Sequence, residues 1–307
     1  MITGPTASGK TALGVALARE LNGEVVSADS MQIYKHLDIG TAKPTAAEMG
    51  GIPHHMIDVV SPFDDYSVSR YVDDATVCAD DIISRGKLPI IVGGTGLYIE
   101  SLIAGRIFAP TENESVRAEL NDKYDRIGGG QMLAELAKFD PVSAEKLHMN
   151  DKKRVVRAFE VYELTGKTQS EHDAETKAIP PHYDALRIAL DYADRTRLYA
   201  RIGERVDEMV DTGFLGEAKD LLKMGVTRNH TSMQAIGYRE MMDAALGEMW
   251  FSDAVDSVKQ RSRQYAKRQL TWLRRREDIR WISWDEKPST ALGLALSTEF
   301  LREAGYI

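Results

Sequence analysis

The chain has 307 residues, 43% of them hydrophobic, with a formal net charge of −8 and a single cysteine, Cys78. That length and apolar content suffice for a buried core in one large domain or two smaller ones, and a lone cysteine excludes an internal disulfide and a cysteine-rich zinc site, as fits a reducing compartment. No apolar run is long enough to span a bilayer and no basic-then-apolar leader opens the chain, so a cytoplasmic monomer without membrane contact or obligate protein partner is expected.

Only Met1, Ile2 and Thr3 precede the first motif, fewer than the roughly five residues of an ordinary strand, so the first strand is expected to look clipped. Gly4, Pro5, Thr6, Ala7, Ser8, Gly9, Lys10 and Thr11 then match a P-loop at every fixed position, and Leu13, Leu17, Ala18 and Leu21 recur behind it at helical spacing. In such a loop the backbone amides and the positive end of the helix dipole form a nest for phosphate. Lys10 would reach the phosphates and the Thr11 hydroxyl would hold Mg²⁺. The motif does not say whether the phosphate is transferred or left behind.

Residues 24–28 (EVVSA) read as a strand ending at Asp29, residues 68–85 as a helix, and residues 88–92 (LPIIV) as a strand ending at Gly93, Gly94 and Thr95. Strands alternating with helices predict an α/β fold, a P-loop-type parallel sheet flanked by helices with ligands at the carboxyl ends of its strands. P-loop NTPases usually end an apolar strand in an Asp that supports Mg²⁺, and residues 93–95 supply none. The carboxylate at a strand end near the loop is Asp29, which has two readings: a group that supports a metal or takes a proton from a nucleophile, or a cap of the following turn. His54 and His55 are adjacent, so their rings cannot share one ion on a regular element; they are read as structural or as channel lining. Met31 and Tyr34 are read as apolar filler or as pocket lining.

From 110 to 182 the texture becomes charged and Leu/Ala-rich, with a flexible glycine run at 128–130, and predicts an all-helical insertion. The domains are then a catalytic core of 1–109 and 183–307 and an insertion of 110–182. The core resumes with a strand at 186–190, helices at 197–224 and 254–275, and a last strand at 280–284. Between 255 and 280 stand nine basic residues against three acidic ones, a cationic patch in an acidic chain that is either a polyanion contact or a solvated face. Trp272 in that segment is read as core.

Four segments, GPTASGKT (4–11), DSMQIYKHLDIGTAKP (29–44), VGGTGLY (92–98) and AKRQLTWLR (266–274), together resemble the bacterial tRNA dimethylallyltransferases, in the same order and over essentially the whole chain. The resemblance implies transfer of the dimethylallyl group of dimethylallyl diphosphate to the exocyclic amine of the adenine 3′-adjacent to the tRNA anticodon, with Mg²⁺ as cofactor and diphosphate as leaving group. It implies Asp29 as general base, Thr95 at the reacting centre and Arg205 as a grip on the diphosphate held by residues 4–11. It implies contact with the anticodon stem-loop through Asp29, Ser30, Met31, Gln32, Thr95 and Arg117, through Lys153, Arg154, Val155, Val156 and Arg157, and through Gln234, Ala235, Ile236, Gly237, Tyr238 and Arg239. Gln234 and Ala235 depart from an Arg-Cys pair often found there, which weakens the contact expected at that point. Three rivals share parts of this pattern: an adenylate dimethylallyltransferase acting on free nucleotide, a P-loop small-molecule kinase, and a non-catalytic RNA-binding protein using the loop as an anion clamp.

Overall fold

The computed structural model describes residues 1–109 and 113–307; Pro110, the expected start of the insertion, lies outside them. The chain divides into two compact units, one of Met1–Ile103 with Asp184–Ile307 and one of Ala104–Tyr183. In chain order come β1 (Ile2–Thr3), α1 (Lys10–Glu20), β2 (Gly23–Ala28), α2 (Ala46–Met49), β3 (His54–His55), α3 (Val68–Ser84), β4 (Leu88–Gly93) and α4 (Gly96–Ala104). The second unit holds α5 (Glu114–Ile127), α6 (Gly129–Leu136), α7 (Pro141–Lys146), α8 (Lys152–Thr165) and α9 (Gln169–Ala178). The chain then adds β5 (Arg187–Tyr192), α10 (Arg195–Thr212), α11 (Phe214–Lys223), α12 (Tyr238–Ala245), α13 (Phe251–Leu273), β6 (Ile279–Trp284) and α14 (Thr290–Glu303) to the first unit.

The six strands form one parallel sheet in the order β3-β2-β4-β1-β5-β6. β1 is only two residues long, yet Ile2 pairs with Val92 on one side and with Ile188 on the other. It is thus a central strand, and its carboxyl end lies beside that of β4. The order reverses there, because α1 carries the chain over β4 to β2, and such a switch point opens a crevice for ligands. Leu13, Leu17 and Ala18 of α1 pack against Val25, Ile90, Val92 and Leu190 of the sheet, which fixes the helix head above that crevice.

Local chemistry explains most element ends. Ser67 caps α3 by accepting from Arg70 N–H, and Tyr71, Val72, Ala75, Ala79 and Ile82 give that helix a buried face. The Tyr71 ring stacks on Tyr98 at 4.0 Å and its hydroxyl donates to Ser27 O at 3.0 Å, so α3 and α4 together steady the end of β2. At the opposite end of β2, buried Glu24 accepts from Arg85 Nη2 at 2.8 Å, Lys87 Nζ at 2.7 Å and His55 Nε2 at 2.8 Å. Arg85 and then Lys87 hold its carboxyl well below the usual range. That ion cluster belongs to the amino end of the sheet, away from the ligand end.

Several expectations change. The single helix expected over 197–224 is two, because Gly213 sits at φ 110° and closes α10, a left-handed cap only glycine adopts cheaply. The glycine run at 128–130 is a helix junction: Gly128 ends α5 and α6 begins at Gly129. His54 and His55 form a strand of their own against Val25 and Val26, too short to show in a pattern. In the second unit Leu120, Met132, Leu136, Val155, Val156 and Phe159 make a separate core. No helix among the described residues is long and apolar enough to cross a membrane.

Candidate active site

The loop of residues 4–11 runs from β1 into the head of α1, where first-turn amides lack intrahelical partners. Gly9 sits at φ 86° and Ala7 at φ 65°, the alternation that turns successive N–H groups to one side. Three of the loop's carbonyls are already paired: Lys10 Nζ donates to Pro5 O at 2.6 Å, Tyr192 Oη to Ala7 O at 3.2 Å, and Trp284 Nε1 to Ser8 O at 3.0 Å. With these acceptors paired, the free polarity of the loop is that of its amides, which favours an anion.

These amides face a cavity of about 760 Å³ that lies wholly within the first unit and is also lined by Asp29, Gln32, Arg205, Tyr265 and Gln269. Half-buried Arg205, from α10, donates from Nη1 to the Thr6 hydroxyl at 3.1 Å. Burial lowers its pKa from the usual arginine value, partly offset by Asp29. The Lys10 ammonium is lowered to about 7, by burial first and then by repulsion from Arg205, with Asp29 opposing. Two cations crowded into one cavity create a standing demand for negative charge.

On the facing side, Asp29 Oδ1 accepts from Met31 N–H at 2.9 Å and Gln32 N–H at 3.4 Å, which is the turn-capping role. The other carboxylate oxygen has no partner among the described residues, so the capping and the chemical readings are compatible. Thr95, just beyond β4, donates its N–H to Ala28 O at 3.1 Å, and its hydroxyl oxygen accepts from Ser30 N–H at 3.1 Å. Asp29, Ser30 and Thr95 are thereby locked into one group. Gln32 Nε2 donates to Thr41 O and Ala42 O, both at 3.2 Å, holding the segment 38–45 that continues the cavity wall.

That segment has an anchor the sequence did not disclose. Glu217 of α11 accepts from Asp38, Ile39 and Gly40 N–H at 2.9, 2.8 and 3.1 Å, and from the Tyr238 hydroxyl at 2.5 Å. Tyr238, expected at the tRNA surface, is buried, as are Ala235 and Gly237, while Ile236 is half-buried and Gln234 and Arg239 are exposed. In the second unit Val155 and Val156 belong to the core and Lys153 and Arg154 are exposed. Arg117 and Arg157 pair with the fully buried Glu160 at 3.0 and 2.9 Å.

The cationic patch is smaller than its composition. Lys259 pairs with Asp207 at 2.6 Å, Arg261 with Glu240 at 2.8 Å and Arg274 with Asp191 at 3.0 Å, while Arg276 engages Glu100 and Asp278. Among the described residues Arg263, Lys267 and Arg275 keep no acidic partner, and Arg268 lies over the Tyr265 ring at 5.6 Å. Trp272 is half-buried against Gly96 at the head of α4, nearer to core than to a stacking platform. His54 lines the cavity and bonds Ile52 O through Nδ1 at 2.8 Å, and burial lowers its pKa. His55 is structural, on Glu24.

Sequence reading also missed Tyr265 and Gln269. The signal was present: Ala266, Leu270 and Leu273 form the buried stripe of α13, and Gln269 is a polar residue on that stripe. Its Oε1 accepts from Thr6 N–H at 3.0 Å and its Nε2 donates to Gly94 O at 2.9 Å. Burial pushes the Tyr265 hydroxyl up to about 12, and that hydroxyl faces Thr95 and Gln269.

A parallel sheet, a phosphate-type loop at its switch point and a carboxylate facing that loop define a P-loop-type α/β protein. Comparison with known proteins narrows this class. The IPP transferase family model matches residues 32–276, and an isopentenyl transferase model matches residues 1–60. The chain is 46% identical over 93% of its length to a tRNA dimethylallyltransferase of Caldanaerobacter subterraneus, covering 91% of that protein. It resembles the solved tRNA isopentenylpyrophosphate transferase of Bacillus halodurans with a TM-score of 0.73 and 40% identity, over 98% of this chain and 94% of that one. A eukaryotic dimethylallyltransferase acting on tRNA superposes with a TM-score of 0.84 and 32% identity, over 98% of this chain and 79% of that one. The chain belongs to the IPP transferase family.

Two outcomes follow from the site's electrostatics. A diphosphate bound beside Lys10 raises the pKa of that ammonium above its value of about 7, so the complex holds a proton the free protein lacks. The Lys10 contribution to affinity is then full below pH 7 and falls as pH rises from 7 towards the bound-state pKa, by at most roughly tenfold per pH unit. Calorimetry of diphosphate binding at pH 7.5, in buffers of different ionisation enthalpy, should show proton uptake that Lys10→Met abolishes. Glu217→Ala strips the acceptor from three amides and Tyr238, and should cost about 2 kcal/mol or more in a urea melt.

Proposed function

We propose that this chain transfers the dimethylallyl group of dimethylallyl diphosphate to the exocyclic amine of the adenine 3′-adjacent to the anticodon of tRNA, releasing diphosphate. One observation carries the reading: a phosphate-binding loop with two cations shares its cavity with a carboxylate oxygen that has no partner among the described residues, and the neighbouring strand ends in Gly93, Gly94 and Thr95 without the metal-supporting Asp of a phosphoryl-transfer site.

The chemistry follows from that arrangement. The allylic carbon–oxygen bond breaks with its electron pair leaving on the diphosphate, while the adenine nitrogen bonds to the same carbon. An allylic carbon tolerates positive charge, so the barrier is governed by how well negative charge on the leaving group is met. The amides heading α1, Lys10 and Arg205 meet it. The adenine amine is a weak nucleophile because its lone pair is shared with the ring. Its proton passes to the unpartnered oxygen of Asp29, a transfer worth roughly 10²- to 10⁴-fold in rate. Thr95, fixed on Ser30 and on the end of β2, orients the amine. Extracting an adenine costs least from a single-stranded loop, which suits an anticodon-loop acceptor.

The Thr11 hydroxyl at the head of α1 is a hard oxygen donor of the kind Mg²⁺ accepts, and the described residues form no group of three or more His, Cys, Asp or Glu that could hold a metal ion by themselves. That donor set fits an ion held by one or two protein oxygens plus substrate phosphates. When bound, Mg²⁺ would supply further charge neutralisation to the leaving diphosphate. Contact with tRNA falls to the exposed side chains: Lys153 and Arg154 in the insertion, Gln234 and Arg239 before and on α12, and Lys267 and Arg275 on and after α13. Neither phosphoryl transfer nor a free adenylate acceptor is favoured, and the relatives that match over most of the chain bear tRNA-acting names.

The direct test is incubation with labelled dimethylallyl diphosphate and unmodified tRNA, with label expected on adenine; conversion of ATP to ADP instead would mark a kinase. Asp29→Asn keeps the Oδ1 acceptor of the turn, so tRNA affinity should hold while single-turnover transfer falls by roughly tenfold or more. Transfer at the parent rate would remove Asp29 from the proton step. Affinity for tRNA should decline with added salt, and Lys267→Gln with Arg275→Gln should flatten the log–log slope by roughly 0.7 for each phosphate deprived of its cation. A slope unmoved by both changes would place the phosphate contacts elsewhere.

A further inference from the structure

We infer that Gln269 is a positioning residue that sets the separation between the leaving-group half and the acceptor half of the site; the inference rests on the transfer reaction proposed above. The two halves stand on neighbouring strands, since Ile2 of β1 pairs with Val92 of β4, but pairing stops there and the loops beyond it are held by different parts of the fold. The phosphate loop is tied towards β5 and β6 through Tyr192 and Trp284. Thr95 is tied towards β2 through Ala28 and Ser30. Neither set of bonds constrains the gap between the loops.

Gln269 closes that gap. It is 8% exposed, accepts from Thr6 N–H at 3.0 Å and donates to Gly94 O at 2.9 Å. Among the described residues it is the side chain that hydrogen-bonds both loops. The primary amide offers an acceptor and a donor on one rigid plane: a glutamate keeps the bond to Thr6 but sets a carboxylate against the Gly94 carbonyl, and a methionine of similar length loses both bonds. The approach is close enough that a side chain at position 94 would collide with the Gln269 amide, so the bridge as formed requires glycine there. Tyr265, one turn earlier on α13, faces Thr95 and Gln269 and backs the bridge from the acceptor side.

The consequence is geometric. Transfer needs the reacting carbon and nitrogen within about 3–3.5 Å, and a misplacement of about 1 Å costs on the order of 10²-fold. Stabilisation of the leaving diphosphate comes from the amides heading α1, Lys10 and Arg205, whereas capture by adenine depends on the distance to Thr95 and Asp29. With the bridge removed, the allylic carbon still loses diphosphate. Its new bond then forms to a water oxygen, with the water's proton released to solvent, so prenyl alcohol appears in place of prenylated adenine.

The experiment compares the full chain with Gln269→Met and Gln269→Glu, using labelled dimethylallyl diphosphate and unmodified tRNA. It reads diphosphate released per adenine prenylated, kcat and KM for the diphosphate, and thermal melting. The parent should release one diphosphate per transfer. The variants should transfer roughly tenfold to a hundredfold more slowly, with KM nearly unchanged and diphosphate in clear excess over prenylated tRNA. Variants that keep a one-to-one ratio overturn the inference, whether they transfer at the parent rate or slow only in proportion to the folded protein that remains. If Gln269→Glu does not fold, Gln269→Met decides. A parent chain that leaves tRNA unlabelled would defeat the functional reading itself, an outcome separate from a parent and variants that all couple one to one.

Discussion

Parallel pairing of β1 with β4 is the constraint from which the site descends. It is a short contact, one register pair wide on that flank, with Ile2 opposite Val92, yet it sets side by side the two strand ends from which the phosphate loop and the Gly93–Thr95 turn depart. Because α1 must cross to β2 beyond β4, its head comes to rest over that same point with its first-turn amides turned to the cavity. The groups that face each other across the cavity are on one of these loops or held to one of them. Asp29 and Ser30 extend β2, Arg205 reaches Thr6 from α10, and α13 inserts Gln269 between the loops.

Electrostatic pressure in the cavity makes this frame selective. Lys10 and Arg205 are held close together while burial works against both charges, and Asp29 offsets only part of the repulsion. A protein keeps such an arrangement only if stability gained elsewhere supports it. Here the supports are identifiable: the Tyr71–Tyr98 stack under Ser27, the Trp284 indole behind Ser8, and the Glu217 carboxylate gathering the amides of residues 38–40. In the proposed reaction a bound diphosphate would relieve the repulsion and use the same preorganised amides, so ground-state affinity and leaving-group stabilisation would come from one set of dipoles.

Much of the frame was legible in the chain because it rests on local rules. The P-loop spelling placed a turn and a helix head, the apolar runs at 24–28 and 88–92 marked two central strands within a residue of their ends, and the shift in texture after β4 marked a helical insertion. What escaped was long-range. Glu217 reads as one more charged residue of an amphipathic helix until three amides some 180 positions earlier are found on its carboxylate. Gln269 reads as a polar lapse in an apolar stripe. Val155, Val156 and Tyr238 sit in segments whose resemblance implies contact with tRNA, but helical phase sends those side chains inward while Lys153, Arg154 and Arg239 stay exposed. The basic run at 255–280 overstated its free charge because its partners, Asp191, Asp207 and Glu240, lie far off in sequence.

Asp29 shows why a structural and a chemical reading of one residue need not compete. A carboxylate has two oxygens, and the turn at Met31 and Gln32 uses one of them, Oδ1. Those bonds fix the plane of the group and so the direction of the second oxygen. For the proposed proton transfer, a base on a freely rotating side chain would have to be ordered in the transition state, at a cost of order 0.5–1.5 kcal/mol for an immobilised side chain; the turn at Met31 and Gln32 already imposes that order. The same logic governs Thr95, whose hydroxyl oxygen is held by Ser30. The acceptor half of the site is thus stiff for a reason intrinsic to its backbone, the leaving-group half is stiff because Tyr192 and Trp284 brace it, and the remaining freedom is the distance between them, which is the one quantity the Gln269 amide spans.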